Sequence, residues 1–285
     1  MSTHYVCVMV QRTQSLKSSA ASAYHASDGA AYEKFLGRWT KELCPQFLDF
    51  AAFSDEGLIL DVGTGTGSLA FAIAARWPGR NVRGIDLAEP YIAHARARSK
   101  DKCPQFEIGD AAALPYDDGA FAGAAAQLVL NFVPNALAAV NEMRRVTCSG
   151  GIIAAAVWAF RGGLVYQRLF WDTAAGIDSR AGDARDRLFS SELALSDGLP
   201  NLFRTAGLKE VQQGSITIRM KYKCFADYWQ PLLGGQGPVG TYIVSLGGDL
   251  RHKIENAVRK AYCSGSPDGE RSLTATAWAV RGTVP

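Results

Sequence analysis

The chain has 285 residues, 48% of them hydrophobic and 20% charged, so it can bury a sizeable core and has the composition of a globular protein. Its 30 basic and 27 acidic side chains give a formal net charge of +3. This small excess of positive charge does not indicate electrostatic binding to nucleic acid or to an anionic membrane. No apolar run reaches the roughly 18 residues that a membrane span needs.

The cysteines and histidines argue against metal or thiol redox chemistry. The six cysteines stand far apart and form no C-x-x-C pair. The four histidines do not have the spacing of metal ligands, and the sequence around them does not indicate a catalytic triad. We therefore predict isolated thiols in a reducing, cytoplasmic compartment, and no metal.

The first 27 residues contain no acidic side chain and are rich in serine. That composition is typical of a transit peptide. The alternative is a flexible extension with no targeting role, which we favour. The predicted organisation is a flexible N-terminal extension over residues 1–28 and one domain over residues 29–285, with the targeting question left open.

In the first half of the chain, strand and helix patterns alternate. Residues 30–50 repeat apolar side chains every three or four positions, which predicts an amphipathic helix broken near Pro45. Predicted strands then cover residues 57–62, 81–86, 105–109, 120–127 and 151–158, and predicted helices cover residues 67–77, 90–100 and 135–146. This alternation predicts a mainly parallel sheet with helices on both faces.

The second half is less regular. Strands are predicted over residues 211–220 and 273–280, and helices over residues 164–175, 225–233 and 250–262. Residues 178–197 are rich in charged and small side chains, which favours a surface insertion or lid.

The most informative segment reads LILDVGTGTGSLA, a hydrophobic strand that ends at Asp61 and is followed by Gly63, Gly65 and Gly67. Glycines let the backbone turn sharply and approach a ligand closely. The same glycines also satisfy the G-x-G-x-x-(G/A) fingerprint of dinucleotide-binding folds. Asp61 would oppose a phosphate, but it could orient the loop or accept hydrogen bonds from an ammonium group.

Two further acids follow later strands. Asp86 ends the second strand, close to the offset at which a carboxylate accepts hydrogen bonds from both ribose hydroxyls. An adenosyl or a nicotinamide ligand would use it equally. Asp110 follows the third strand, where its carboxylate could accept from an adenine amino group and the N–H of Ala111 could donate to a ring nitrogen.

Through Trp158 the sequence resembles the class I S-adenosylmethionine (SAM)-dependent methyltransferases, particularly the small-molecule group of ubiquinone and menaquinone biosynthesis. The glycine loop, Asp86 with Leu87, and the segments GDA, LPYDDGAF, AAQLVLNF and RRVTCSGG come in family order. The resemblance implies an α/β, Rossmann-like seven-stranded sheet, mostly parallel with an antiparallel last strand. It places the SAM-binding core at about residues 57–160 and the acceptor-side and C-terminal elements at about residues 161–285.

The resemblance also implies SAM as the cofactor and assigns residues to it. Cofactor contacts are expected from the glycine loop, the ends of the next two predicted strands, the exit of the fourth and the first helix: Asp61, Gly63, Thr64, Gly65, Gly67, Asp86, Leu87, Asp110, Ala111, Gln127, Leu128 and Arg38. Arg38 would pair with the methionine carboxylate. Asn131 and Trp158 would lie at the acceptor pocket, and no catalytic residue is assigned.

The expected function is transfer of a methyl group from SAM to a small-molecule acceptor by in-line displacement. Nucleic acid is not expected as a partner, because the fourth strand exits through QLVL and not through the Asn/Asp-Pro-Pro-aromatic set of amino-directed DNA enzymes. Stable membrane insertion is not expected either. Two alternatives stay open: an NAD-dependent oxidoreductase, although no Tyr-x-x-x-Lys pair is found, and a non-catalytic SAM-fold binding protein.

Overall fold

The computed structural model describes residues 28–100 and 103–285. The predicted extension over residues 1–28 lies outside the described residues, apart from Asp28. The carboxylate of Asp28 caps the first helix by accepting a hydrogen bond from the N–H of Ala30 at 2.8 Å.

In the described residues, one seven-stranded sheet organises the fold. The strands are β1 (Ile59–Val62), β2 (Val82–Asp86), β3 (Gln105–Ile108), β4 (Phe121–Gln127), β5 (Thr147–Trp158), β6 (Lys209–Tyr222) and β7 (Arg271–Thr283). Their order across the sheet is β3-β2-β1-β4-β5-β7-β6. The first five are parallel, and β7 runs antiparallel between β5 and β6. The predicted fold class, including the antiparallel last strand, is confirmed.

Helices connect the strands and extend the chain beyond β5. They are α1 (Gly29–Tyr32), α2 (Arg38–Ala51), α3 (Ser68–Arg76), α4 (Glu89–Arg98), α5 (Ala136–Val146), α6 (Val165–Ala175), α7 (Ser179–Phe189), α8 (Gly198–Thr205), α9 (Phe225–Trp229), α10 (Gly237–Val244) and α11 (Gly248–Cys263). A π-helical turn, Glu33–Gly37, joins α1 to α2. Among residues 28–100 and 103–285, no helix has the length and apolar character needed to cross a bilayer.

Each face of the sheet packs against its own apolar cluster. Ile59 belongs to one cluster, whereas Leu60 and Val62 belong to the other, because successive side chains of a strand point to opposite faces. The central strands β4 and β5 carry small side chains, with fully buried alanines at residues 124–126 and 154–156. A sheet buried on both faces explains why these strands read as continuous apolar runs.

The prediction that the first helix breaks near Pro45 is wrong, because α2 runs through this residue. Proline removes only its own N–H from the helical ladder, and the flanking Leu43, Cys44 and Phe47 are buried in the core. Tertiary packing therefore holds the helix together. The irregular part is the π-helical turn, a feature that often marks functional sites.

The lid-like segment 178–197 is also more regular than predicted. It contains α7, whose first turn is capped by Asp178 through a hydrogen bond from the N–H of Arg180 at 3.0 Å. The helices α8 and α10 were not predicted. Both contain proline and glycine, which indicate loops when a sequence is read without its tertiary contacts.

Candidate functional site

The glycine loop follows β1 directly and is held against β2. The N–H groups of Gly63 and Thr64 donate to the carbonyl of Ile85 at 2.8 and 3.0 Å. Gly63 and Gly65 both have left-handed backbone, with φ of 67° and 56°. A Cβ on Gly63 would lie 2.3 Å from Val129, whereas a Cβ on Gly65 would meet only Tyr91, at 4.0 Å. Packing therefore requires glycine at residue 63, but at residue 65 the space that a side chain would fill lies at a cavity.

Asp61, near the end of β1, holds the glycine loop through hydrogen bonds. It is 1% exposed, and its Oδ2 accepts from the hydroxyl of Thr64 at 2.6 Å and from the N–H of Ala70 at 3.0 Å. Burial raises the pKa of Asp61 to about 7, although these two donors lower it. Asp61 thus ties the glycine loop to the first turn of α3, which is one of the two roles predicted for it.

The raised pKa of Asp61 predicts a pH dependence of stability. The folded protein keeps this proton up to about pH 7, whereas the unfolded chain releases it near the ordinary value of 3.8. The stabilisation is therefore fully present below about pH 4 and is lost as the pH rises towards 7. Relative to wild type, Asp61→Asn should gain stability over this range, by up to about 4 kcal/mol. Urea unfolding at several pH values measures the difference, and a pH-independent difference would contradict the raised pKa.

Asp86 lies at the end of β2 and contacts the same loop. Its Oδ2 accepts from the N–H of Gly65 at 2.8 Å, and its Oδ1 accepts from the N–H of Ala88 at 2.9 Å. Burial raises the pKa of Asp86, and both backbone donors offset part of that rise. Each carboxylate oxygen keeps a further lone pair for a ligand.

The ends of β2 and β3 also carry the other predicted adenine contacts. Leu87 is 72% exposed, unusually high for a large apolar side chain. Asp110 is exposed, and its Oδ1 accepts from the N–H of Ala112 at 2.9 Å. Ala111 is half-buried beside it. Together they form an open edge with an apolar side chain, a carboxylate and backbone groups.

The exit of β4 is strained. Leu128 has a left-handed φ of 64°, which is costly for a branched side chain. Its N–H donates to the carbonyl of Ala156 at 2.7 Å, and Gln127 Nε2 donates to the carbonyl of Thr40 at 3.2 Å. Strain of this kind persists where a site requires it, so this exit is a candidate ligand contact.

These strand ends surround one cavity of about 560 Å³. Eleven predicted site residues line it: Asp61, Gly63, Thr64, Gly65, Asp86, Leu87, Asp110, Ala111, Gln127, Leu128 and Trp158. The cavity lies at the carboxyl ends of parallel strands and beside the switch point between β1 and β4, where α/β sheets bind ligands.

Arg38, a predicted cofactor contact, lies away from the cavity in the structure and takes part in an ion pair. Its Nη1 donates to Asp227 Oδ1 at 2.9 Å, and its guanidinium lies 4.2 Å from the centre of the Trp39 ring. Arg38 does not line the cavity. Its partner lies 189 residues away on α9, so no local sequence pattern indicates the pair.

Arg38→Ala should therefore affect stability and not cofactor affinity. Loss of a partly exposed ion pair and a cation–π contact is expected to cost about 1 kcal/mol. Chemical unfolding and calorimetric titration with S-adenosylhomocysteine (SAH) measure the two effects. A tenfold or larger loss of SAH affinity at unchanged stability would show that Arg38 contributes to cofactor binding.

Gly67 and Asn131 also lie outside the cavity lining. A Cβ on Gly67 would lie 2.8 Å from both Phe71 and Phe106, so this glycine serves packing between α3 and β3. Asn131 is 5% exposed, and neither its Oδ1 nor its Nδ2 has a hydrogen-bond partner among the described residues. Neither residue forms part of the cavity wall among the described residues.

The sequence did not identify the residues that cover the cavity. The turn around the π-helix contributes Tyr32, Phe35 and Leu36, whose helical spacing had indicated only a core face. Segments after β4 and β5 contribute mainly apolar side chains, with Phe132 and Phe160 among them. No local motif marks these residues, because only the folded chain brings them together.

Glu33 fastens this cover to the glycine loop. Its Oε1 accepts from the hydroxyl of Thr66 at 2.6 Å and from Arg98 Nη1 at 3.3 Å, and its Oε2 pairs with Lys41. Arg98 also donates to the carbonyl of Thr66 at 3.0 Å. The helical cover and the loop are therefore linked through one carboxylate.

A glycine loop after β1, acids after β2 and β3, and a shared cavity on a 3-2-1-4-5-7-6 sheet are the features expected from the resemblance to class I SAM-dependent methyltransferases. SAM is the cofactor of this class. Residues 60–155 match the family model described as methyltransferase domain. Among the residues described, no group of three metal-binding side chains occurs.

The chain is similar to curated methyltransferases of two kinds. It is 34% identical over 116 residues to a demethylmenaquinone methyltransferase of Thermus thermophilus, a match covering 40% of this chain and 51% of that protein. It is 30% identical over 171 residues to a malonyl-acyl-carrier-protein O-methyltransferase of Geobacter sulfurreducens, covering 58% and 61%. The chain thus spans only about half the length of these curated relatives.

Solved structures share the fold at low sequence identity. A Haemonchus contortus phosphoethanolamine N-methyltransferase 2 in complex with SAM has a TM-score of 0.55 and 13% identity, covering 90% of this chain and 56% of that one. The 4+2 cyclase SpnF has a TM-score of 0.53 and 21% identity, covering 92% and 87%. These likenesses concern the fold alone.

Proposed function

We propose that this chain transfers the methyl group of SAM to a small-molecule acceptor bound in the same cavity. The observation that carries the proposal is Asp86, whose carboxylate holds the N–H of Gly65 and of Ala88 at the cavity edge. This arrangement fixes the glycine loop and leaves oxygen lone pairs for the two hydroxyls of a ribose. We also propose that residues 29–285 form one domain.

The lining residues fit SAM by their chemistry. Asp86 would accept from the ribose hydroxyls, Leu87 would cover an adenine face, and Asp110 with Ala111 would meet the polar edge of adenine. The glycine loop would approach the methionine part. The fit is supported by Gly65, where a side chain would point into open space and not against protein.

The chain's own contribution to the reaction is alignment and exclusion of water. SAM supplies an electrophilic methyl group on a positively charged sulfur. Phe35, Phe132 and Phe160 line the cavity with apolar surface, and the strained exit at Leu128 would form the wall beside the methionine end. Such positioning accelerates a displacement because the reactants need not find each other in solution.

The acidic lining supports a small molecule over nucleic acid. Among the described residues, no lysine, arginine or histidine lines the cavity, whereas Asp61, Asp86, Glu89 and Asp110 do. A phosphate backbone near this mouth would meet negative charge and find no basic side chain to pair with. The cytoplasmic location stays a prediction from the cysteine spacing.

Titration calorimetry with SAM, SAH and NADH on the full chain tests the cofactor. We expect binding of SAM and SAH and none of NADH. Binding of NADH alone would favour the oxidoreductase alternative, although the described lining offers no lysine for a Tyr-x-x-x-Lys pair.

Turnover tests the second alternative, a SAM-fold protein without methyl transfer. The structural likeness to a cyclase makes this alternative concrete, because a similar fold is found in a protein named for different chemistry. Incubation with SAM and panels of neutral acceptors, with SAH release as the readout, should detect transfer. SAM binding without SAH release from any acceptor would favour the non-catalytic alternative.

A further inference from the structure

The acceptor half of the cavity is formed by the end of β5 and the start of α6. In the sheet order, β5 lies on the opposite side of β1 from β2 and β3, which carry the proposed adenosine contacts. Trp158 ends β5, Phe160 follows it, and Gln167 lies in the first turn of α6. This inference rests on the proposed function and concerns what the acceptor must look like.

Two polar groups in this half have no partner in the described protein. Trp158 and Gln167 are each 3% exposed, and Trp158 Nε1 and Gln167 Oε1 have no hydrogen-bond partner there. Gln167 Nε2 donates to the hydroxyl of Tyr166 at 3.0 Å, which orients the amide. Buried polar groups are nearly always paired, so an unpaired N–H and an unpaired carbonyl on two residues that line the same cavity point to a ligand.

The surrounding charge restricts that ligand further. Lining residues of the described chain include four acids and no basic side chain. A carboxylate or phosphate on the acceptor would lose its hydration without gaining a counter-charge from a protein side chain. The walls around the unpaired groups are apolar, with Phe35, Phe132 and Phe160 among them.

We propose that Gln167 and Trp158 determine acceptor specificity by pairing with an uncharged acceptor. The acceptor presents a hydroxyl or amine hydrogen to Gln167 Oε1 and an oxygen or nitrogen lone pair to Trp158 Nε1–H, on an apolar skeleton. Anionic acceptors such as carboxylates, phosphate esters and malonyl groups are rejected. Gln167 touches the acceptor and not the cofactor.

Binding of three naphthalenes to the full chain saturated with SAH tests this assignment by titration calorimetry. 2,3-Dihydroxynaphthalene offers both donor and acceptor, 2,3-dimethoxynaphthalene offers only acceptors, and 3-hydroxy-2-naphthoate adds a negative charge. We expect the dihydroxy compound to bind about tenfold more tightly than the dimethoxy compound, the worth of one buried hydrogen bond. The naphthoate should bind at least tenfold more weakly than the dihydroxy compound.

Variants then assign the effect to residues. Gln167→Leu should abolish the preference for the dihydroxy over the dimethoxy compound, and Trp158→Phe should weaken both. Trp171→Phe is the matched control, because Trp171 Nε1 is also buried and unpartnered in the described chain but does not line the cavity. It should leave all three affinities unchanged.

SAH affinity separates the two proposals. It should stay within about twofold of wild type in all three variants, and failure of wild type to bind SAH would overturn the proposed function itself. With SAH bound, equal affinity for the dihydroxy and dimethoxy compounds, tighter binding of the naphthoate, an unchanged preference in Gln167→Leu, or no binding of any probe would overturn the specificity assignment.

Discussion

Replacing Asp86 with alanine is expected to lower SAH affinity about 100-fold. The variant would lack the two charge-assisted hydrogen bonds between the carboxylate and the ribose hydroxyls. Each is worth about 1.5–3 kcal/mol, and every 1.4 kcal/mol changes the affinity about tenfold. The glycine loop would also lose the acceptor for the N–H of Gly65. Titration calorimetry with SAH on wild type and variant measures the change.

A matched control separates this effect from a general loss of structure. Asp178 also accepts a hydrogen bond from the N–H two residues ahead of it, at 3.0 Å, but it does not line the cavity. Asp178→Ala should lower stability without changing SAH affinity. Equal losses of SAH affinity in both variants would show that the effect of Asp86→Ala is structural.

A modified ligand tests the hydroxyl contact itself. Wild type should bind SAH more tightly than its 2′-deoxy analogue, because the analogue lacks one donor to the carboxylate. Asp86→Ala should bind the two alike. If the variant kept the full preference for SAH, the ribose contact would have to be made by another residue.

The strand-end residues of the site were predictable because they belong to local patterns. Gly63, Gly65 and Asp86 stand at fixed positions after buried strands, and parallel strands bring their carboxyl ends to one edge of the sheet. The apolar runs of β1, β4 and β5 predicted those strands, since a sheet buried on both faces needs no alternation.

The rest of the site depends on contacts between residues far apart in the sequence. The ion pair of Arg38 could not be predicted, because its partner Asp227 lies in a segment with no recognisable motif. Gln167 was missed because its unpaired carbonyl becomes informative only when the buried surroundings are known. The helix break predicted at Pro45 is absent because packing against other elements stabilises α2, and the sequence pattern does not show that packing.

Gly65→Ala should lower SAH affinity at least tenfold while leaving the protein folded. A methyl group here would meet no protein atom closer than Tyr91 Cδ2 at 4.0 Å, so it would occupy cavity space that the cofactor needs against the backbone. The left-handed backbone adds a cost of about 1–2 kcal/mol to folding. Urea unfolding and calorimetric titration with SAH measure the two consequences separately.

Gly79→Ala is the matched control for this variant. Gly79 has a similar left-handed φ of 87°, and no atom lies within 4 Å of a Cβ built there, but it does not line the cavity. The two variants should therefore lose similar stability, about 1–2 kcal/mol, and only Gly65→Ala should lose SAH affinity. Unchanged affinity in Gly65→Ala would mean that no ligand approaches this backbone, and the glycine loop would then be a turn and not a cofactor site.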